Sequence, residues 1–291
     1  MRRKVTVVGA GSVGATCAQR LAERDYADVV LVDAEEGRAE RLAVDINVAA
    51  SIVDYAPVAH GTSTYADLAG SEVVVLAVDS EADVPEVAAE VRDRAPDAVV
   101  FVVSNPIENV CHTAYEVLQF PRERVIGMAG AVHSAALRML LAVELGVSPR
   151  DVDAVVLGGH ADTMVPLLSC ATVSGIAVRK KTTPDRIDAA VERVRQAAAP
   201  REAAIAPLYA PSAALAEMVD AVVFDLNRVL PCAALTKGEY GFKEIFMGLP
   251  VKLGAGGIRE IVQMDLDDDE RRQLDDAAKA VERLVGARAR V

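Results

Sequence analysis

The 291-residue chain has no surplus of basic residues: 31 Lys and Arg stand against 43 Asp and Glu, for a formal net charge of −12 at pH 7. No basic patch is available to neutralise phosphates, which argues against nucleic acid as a partner. The chain also lacks any apolar run approaching the length that crosses a bilayer, although 52% of its residues are hydrophobic. A membrane span is therefore not expected. Cysteine is scarce, and the four present (Cys17, Cys111, Cys170 and Cys232) show no C-x-x-C spacing. Reduced thiols in the cytoplasm are the expectation. Linkers, repeats and low-complexity segments are missing too. The length suffices for a large core in one domain or two.

The most informative stretch runs from Lys4 to Asp33, KVTVVGAGSVGATCAQRLAERDYADVVLVD. A β-branched run meets a glycine cluster, then a helix-patterned segment, then a second Val/Leu run that ends in an acid. That order is strand, turn, helix, strand, the sequence form of a parallel βαβ unit. Gly9, Gly11 and Gly14 fit G-x-G-x-x-G. The first allows the tight turn, the second lets backbone approach a pyrophosphate, and the third lets helix and strand pack closely. Ser12 and Val13 complete the expected phosphate loop, where the helix N-terminus points unpaired N–H groups at the ligand. Asp33 lies nineteen residues beyond Gly14. A carboxylate there accepts hydrogen bonds from ribose hydroxyls and repels a 2′-phosphate, so NAD is expected rather than NADP. The basic residues before this apolar stretch imitate a signal peptide, but its glycines fall where a phosphate loop needs them, and export is not expected.

Further along, Glu35–Ile52 carries helical spacing and Pro57–Thr62 reads as a short strand. Glu72–Val78 (EVVVLAV) and Ala98–Val103 (AVVFVV) read as buried parallel strands, apolar on both faces. Between them, Asp83 and Glu86 form a capping-box pattern opening a helix to about Ala95. A helix through Val110 and Leu118 and a strand at Arg124–Ile126 bring the count to six strands, that of a doubly wound dinucleotide domain. Ligands sit at the carboxyl ends of such strands, which places Val78 and Asn105 beside the cofactor, Asn105 at its nicotinamide end. Past a helix at about Ala131–Leu145, the pattern changes to strands at Val152–Leu157 and Val165–Val173. Helices at Pro184–Ala198 and Pro207–Asp225, strands at Arg228–Leu235 and Ile245–Leu253, and a helix from Asp268 to about Arg288 follow. The expected organisation is a Rossmann domain over 1–145 and a C-terminal α+β substrate and oligomerisation domain over 146–291.

Several motifs stand in one order along the chain. They are the glycine loop with Asp33, Ser104-Asn105-Pro106, Arg124-Val125-Ile126-Gly127, Gly158-Gly159-His160-Ala161-Asp162-Thr163-Met164-Val165-Pro166, Tyr209-Ala210-Pro211, Gly238-Glu239-Tyr240-Gly241 and Leu253-Gly254-Ala255-Gly256-Gly257. Together they resemble the lactate/malate dehydrogenase family, particularly its lactate-dehydrogenase-like malate dehydrogenases, over nearly the whole chain. The resemblance implies NAD binding, a small-molecule substrate, a two-domain subunit and a homodimer or homotetramer. It assigns His160 to the proton shuttle that accompanies hydride transfer, and Asn105 to the substrate oxygen.

Two regions depart from the family pattern. The family has an aspartate and an arginine three residues apart on the helix after Gly127, on one helix face; those positions read His133 and Ala136 here. The aspartate orients the histidine, and the arginine grips the substrate carboxylate bidentately. His133 cannot supply the negative charge, and Arg138, two positions further round the helix, points elsewhere. Between Val78 and Pro96 the family has a longer, arginine-bearing loop that closes over substrate, whereas this chain passes through Asp79-Ser80-Glu81-Ala82 directly to a helix. Arg92 and Arg94 fall on that helix and read as a solvated face. The expectation is an NAD-dependent oxidoreductase with His160, Asn105 and His133 at its catalytic centre and poor activity on malate or lactate; the alternative is an inactive NAD-binding relative. His133, His160 and Asp162 are weak grounds for a metal site, and no metal is expected.

Overall fold

The structure is a computed structural model that describes residues 2–56, 58–159, 163–198 and 207–288. In chain order its elements are β1 (Arg3–Val8), α1 (Ser12–Glu23), β2 (Ala27–Val32), α2 (Arg38–Val53), β3 (Ala59–Thr62), β4 (Val73–Leu76), α3 (Val84–Arg94), β5 (Val99–Val102), α4 (Ile107–Leu118) and β6 (Val125–Gly127). They continue with α5 (Gly130–Leu145), β7 (Val152–Gly158), β8 (Met164–Val173), β9 (Ile176–Ala177), α6 (Pro184–Ala198), α7 (Tyr209–Val223), β10 (Arg228–Lys237), β11 (Lys243–Gly254), β12 (Gly257–Ile261) and α8 (Asp268–Arg288). Pro57, expected to open the third strand, lies outside the described residues.

The chain divides into two compact units, Met1–Met128 with Ala206–Arg228 and Lys252–Glu260, and Ala129–Ile205 with Val229–Val251 and Ile261–Val291. In the first, the strands run in the order β3-β2-β1-β4-β5-β6, every neighbouring pair parallel. Val5 stands opposite Val29 on one side and Val73 on the other. This is the doubly wound order, and its direction reverses between β1 and β4, where such sheets bind ligands. All four residues of β4 and of β5 are buried, as continuous Val/Leu/Phe runs require when helices cover both faces. α7 packs on α1 although far from it in sequence. Arg24 Nε donates to Asp220 Oδ2 at 2.7 Å, the Tyr26 hydroxyl donates to Asp220 Oδ1 at 2.8 Å, and the Tyr26 and Phe224 rings meet edge to face at 4.7 Å.

The second unit is a sheet in the order β10-β11-β7-β8-β9 with helices. β7 pairs antiparallel with both β8 and β11. Its successive residues Val156 and Leu157 enter different cores, as strand alternation demands: Val156 joins Leu137, Leu141, Ile187 and Val194, while Leu157 joins Met247, Leu249, Leu274 and Val281. Residue 145, where the sequence pattern changes, ends α5 inside this unit. α5 is held there by β7: a Cβ on Gly130 would lie 2.1 Å from the Val156 carbonyl oxygen, and the Val156 N–H donates to Ser134 Oγ at 2.9 Å.

The expected fold class is the one found, and most elements begin and end within a few residues of their expected places. β9 and β12 have no counterpart in the sequence reading. The capping box at Asp83 and Glu86 does not form. A short 3₁₀ turn, Glu81–Asp83, precedes α3, and the cap is Ser80, whose Oγ accepts from the Ala82 N–H at 3.2 Å; Asp83 makes no side-chain cap. Among the described residues no helix is long and apolar enough to cross a membrane.

Candidate functional site

The β1–α1 turn has the geometry that its glycines require. Gly9 adopts φ +102°, and a Cβ there would lie 2.3 Å from the Ala77 carbonyl oxygen; a Cβ on Gly14 would lie 1.9 Å from the Gly9 oxygen. Neither position admits another residue without moving backbone. Gly11 is the N-cap of α1 with no side-chain cap, and the first turn of the helix carries no acid. Ser12 is exposed and Val13 half-buried just inside it. The N-terminal backbone N–H groups of α1 are therefore available to an anion.

Asp33, half-buried at the end of β2, closes this turn from the side. The Ala10 N–H donates to its Oδ2 at 2.6 Å and the Glu35 N–H to its Oδ1 at 2.9 Å. Each carboxylate oxygen retains acceptor capacity toward ligand hydroxyls. A cleft of about 280 Å³ lies here, lined among others by Gly9, Asp33, Arg38, Tyr65, Val78 and Asp79. A second, of about 530 Å³, is lined by residues including Gly11, Ser12, Arg38, Arg41 and Asp45. Arg38, Tyr65 and Asp79 carry no motif of their own, and the sequence reading did not single them out as site residues. Arg38, five residues beyond Asp33 at the start of α2, was the most readable of them.

The carboxyl ends of β4 and β5 are tied together where Val78 and Asn105 sit. The Ser104 hydroxyl donates to the Val78 carbonyl oxygen. Asn105 is exposed, and its bond to Pro106 is cis. Glu108, in the first turn of α4, is 4% exposed, and burial raises its pKa above the ordinary carboxylate value. The structure thus brings Gly9, Gly11, Ser12, Val13, Gly14, Asp33, Val78 and Asn105 to one edge of the first unit's sheet.

In the second unit His133 is buried in the first turns of α5, beside Ser134, whose bond to β7 registers the helix against the strand leading to Gly158. Ala136 is half-buried and packs against the Leu137–Leu141 core, so no cation occupies its place. Arg138 is half-buried on another face. His160 and Asp162 lie outside the described residues. Among the described residues no group of three His, Cys, Asp or Glu is arranged to hold a metal ion. Burial pushes the Cys17 thiol up to about 12 and Cys111 well above its ordinary value, which leaves both protonated and unreactive. Arg92 pairs with Asp93 and Arg94 with Glu90 on an exposed face of α3, consistent with a solvated role.

The glycine turn without a Cβ over its anion seat, the open N-terminus of α1 and the carboxylate beside it fit a dinucleotide. The model of the lactate/malate dehydrogenase NAD-binding domain matches residues 3–81, and that of the lactate/malate dehydrogenase alpha/beta C-terminal domain matches residues 133–285. A malate dehydrogenase of Thermomicrobium roseum is 44% identical over 99% of this chain and 98% of its own length. The solved malate dehydrogenase of Salinibacter ruber is similar at 39% identity and a TM-score of 0.93, covering 99% of this chain and 98% of its own. The lactate dehydrogenase of Cryptosporidium parvum, solved with lactic acid and nicotinamide adenine dinucleotide, has a TM-score of 0.93 at 30% identity over 99% of this chain and 98% of its own. With an NAD-binding domain of the doubly wound type followed by an α/β domain, the chain belongs to the lactate/malate dehydrogenase family.

Proposed function

We propose that this chain is an NAD-dependent oxidoreductase that exchanges a hydride with a carbonyl or imine compound bulkier or less anionic than a small 2-hydroxy acid, or with its reduced form, and that it turns over malate and lactate poorly. NAD, when bound, supplies the hydride acceptor or donor. The backbone N–H groups of Gly11, Ser12, Val13 and Gly14 take its pyrophosphate and Asp33 takes its ribose hydroxyls. Val78 and Asn105 would hold its nicotinamide end. Asn105 donates an N–H to the substrate oxygen, His160 gives or takes the proton on that oxygen, and His133 is the third residue assigned to the catalytic centre.

The observation that carries the altered-substrate reading is the pair His133 and Ala136 on α5, where the family pattern has an aspartate and an arginine. Losing a buried bidentate contact to a substrate carboxylate costs about 2–5 kcal/mol, a factor of about 30 to several thousand in binding. Acid–base chemistry without its orienting carboxylate loses up to a further factor of about 10²–10⁴. The short β4-to-α3 connection supports the same reading. The NAD-binding-domain match ends at residue 81, within that connection. The alignment with the Thermomicrobium protein spans 304 positions against 291 residues, so it contains positions at which this chain has no residue.

The test is absorbance at the NADH band with purified protein, comparing oxaloacetate and pyruvate with uncharged aldehydes, ketones and imines. Uncharged substrates are expected to be reduced faster than oxaloacetate, and His160→Gln is expected to lower their turnover by about 10²–10⁴-fold while NADH binding persists. Fast, saturable oxaloacetate reduction would sink the altered-substrate reading. The simultaneous changes at His133, Ala136 and the β4–α3 connection favour a second reading, an NAD-binding protein without turnover. It is the one left if NADH binds and no substrate oxidises it. A homodimer or homotetramer is part of the proposal, supported by the exposed row Val44, Val48 and Ile52 on one face of α2; sedimentation velocity tests it. So is a cytoplasmic location, supported by four free cysteines.

A further inference from the structure

Asp79 stands in a place that the cofactor-binding turn does not account for. Its two carboxylate oxygens lie 3.1 and 3.2 Å from the point where a Cβ on Gly11 would be. In a G-x-G-x-x-G turn the bare second glycine lets backbone approach a pyrophosphate. Here the space over that glycine borders a fixed negative charge. Asp79 is exposed and belongs to a strongly acidic wall: the cleft it lines also carries Asp33, Asp83 and Glu86, with Arg38 as the one cation among the described residues that line it. The position follows from chain length. β4 ends at Leu76, and the backbone turns through Val78 and Asp79 straight into the Ser80-capped 3₁₀ turn, so the connection cannot carry Asp79 away from the glycine turn.

On the reading that this turn holds the pyrophosphate of NAD, we infer that Asp79 sets the charge selectivity of the seat. It opposes phosphate groups in proportion to their charge and so favours the singly esterified phosphates of a dinucleotide over the more highly charged phosphates of a free nucleotide. The physical basis is like-charge repulsion across a few ångströms at a half-solvated surface, which is moderate in size and screened by salt. NADH presents two charges, one on each phosphate of its pyrophosphate bridge. ADP presents more, because its terminal phosphate loses a second proton at about pH 6. Adenosine presents none.

The experiment is calorimetric titration of the wild-type protein, Asp79→Asn and Asp83→Asn with NADH, ADP and adenosine at low and high salt. Asparagine keeps the shape of Asp79 and removes its charge. The expected result for Asp79→Asn is NADH binding tighter by about three- to tenfold at low salt, a larger gain for ADP, and adenosine unchanged within about twofold. The NADH and ADP gains shrink at high salt. Asp83→Asn, a charge in the same wall not set against Gly11, gives a smaller gain. NADH binding by the wild type with no gain in Asp79→Asn overturns the inference while leaving the cofactor site standing. So does an equal gain for adenosine, or an equal gain from Asp83→Asn. Failure of NADH to bind either Asp79→Asn or the wild type removes the cofactor-site reading and this inference together.

Discussion

The β1–α1 turn and the β4–α3 turn leave the same edge of the same parallel sheet from neighbouring strands, yet they present opposite chemistry. The first has no charged side chain. Its helix opens at a glycine N-cap with no side-chain cap and no acid in the first turn. The second satisfies itself: Ser80 accepts from Ala82, the Asp83 N–H donates to the Ser80 carbonyl oxygen, and Glu81, Asp83 and Glu86 place negative charge at the start of its helices. A helix N-terminus offers an anion site only where the sequence leaves its N–H groups unclaimed and its field uncancelled. One edge therefore holds one open seat and one closed turn, and the closed turn lies against the open one through Asp79 and Gly11.

Substitutions that spoil the first turn should produce the largest effects. Gly14→Ala drives a methyl group into the Gly9 carbonyl oxygen, which neighbouring backbone holds in place. Overpacking of this kind costs about 1–3 kcal/mol of stability, and NADH affinity is expected to fall by about a hundredfold or more as turn and helix separate. Urea denaturation and calorimetry measure the two. Unchanged NADH binding would mean that the close packing at Gly14 is incidental to the site.

Next in size comes Asp33→Ala. Two backbone N–H groups lose a charged acceptor, each such bond being worth about 1.5–3 kcal/mol, and ribose loses its partner. NADH binding is expected to weaken by about ten- to a hundredfold, and NADPH, no longer repelled, by much less; competition between the two cofactors reads the change. If both weaken equally, Asp33 serves only to hold the turn.

The smallest effect belongs to the third turn of this edge, β5–α4. Glu108 has a raised pKa in the folded protein because it is buried. The folded state therefore binds this proton more tightly than the unfolded state does. The contribution of Glu108 is fully favourable below the ordinary value of 4.5 and is lost as pH rises through the higher folded value. Glu108→Gln should flatten that loss, by about 1 kcal/mol or less, stabilising the protein at pH 8 but not at pH 4. Denaturation midpoints at the two pH values test it, and an equal shift at both would show that charge is not the cause.

The parallel strands were legible because burial on both faces demands continuous Val, Leu and Phe, and Val73–Leu76 and Val99–Val102 supply them. The phosphate turn was legible because only glycine tolerates the backbone at Gly9 and the contact at Gly14, so steric necessity writes itself into residue type. The role of Asp33 was half legible. Spacing from Gly14 singled out Asp33 as the acid expected at the ribose, but not that it also holds the Ala10 N–H, a contact made only when β1 and β2 lie side by side. The Ser80 cap eluded the pattern because Asp83 and Glu86 match a capping box as well as Ser80 does, and the path of the backbone decides between them.

By itself, the sequence determined the order of strands and helices, the glycine turn and the acid at the end of β2, because each depends on local sterics or on the periodicity of burial. Tertiary structure alone decided that α7, nearly two hundred residues from α1, packs on it, with Arg20 Nε donating to Ser212 Oγ, and that Gly130 brings α5 against β7. It also decided that Asp79 faces Gly11. Such long-range contacts join residues that carry no mark of one another, since each is chosen by the packing of whole elements and only the folded chain brings them within reach.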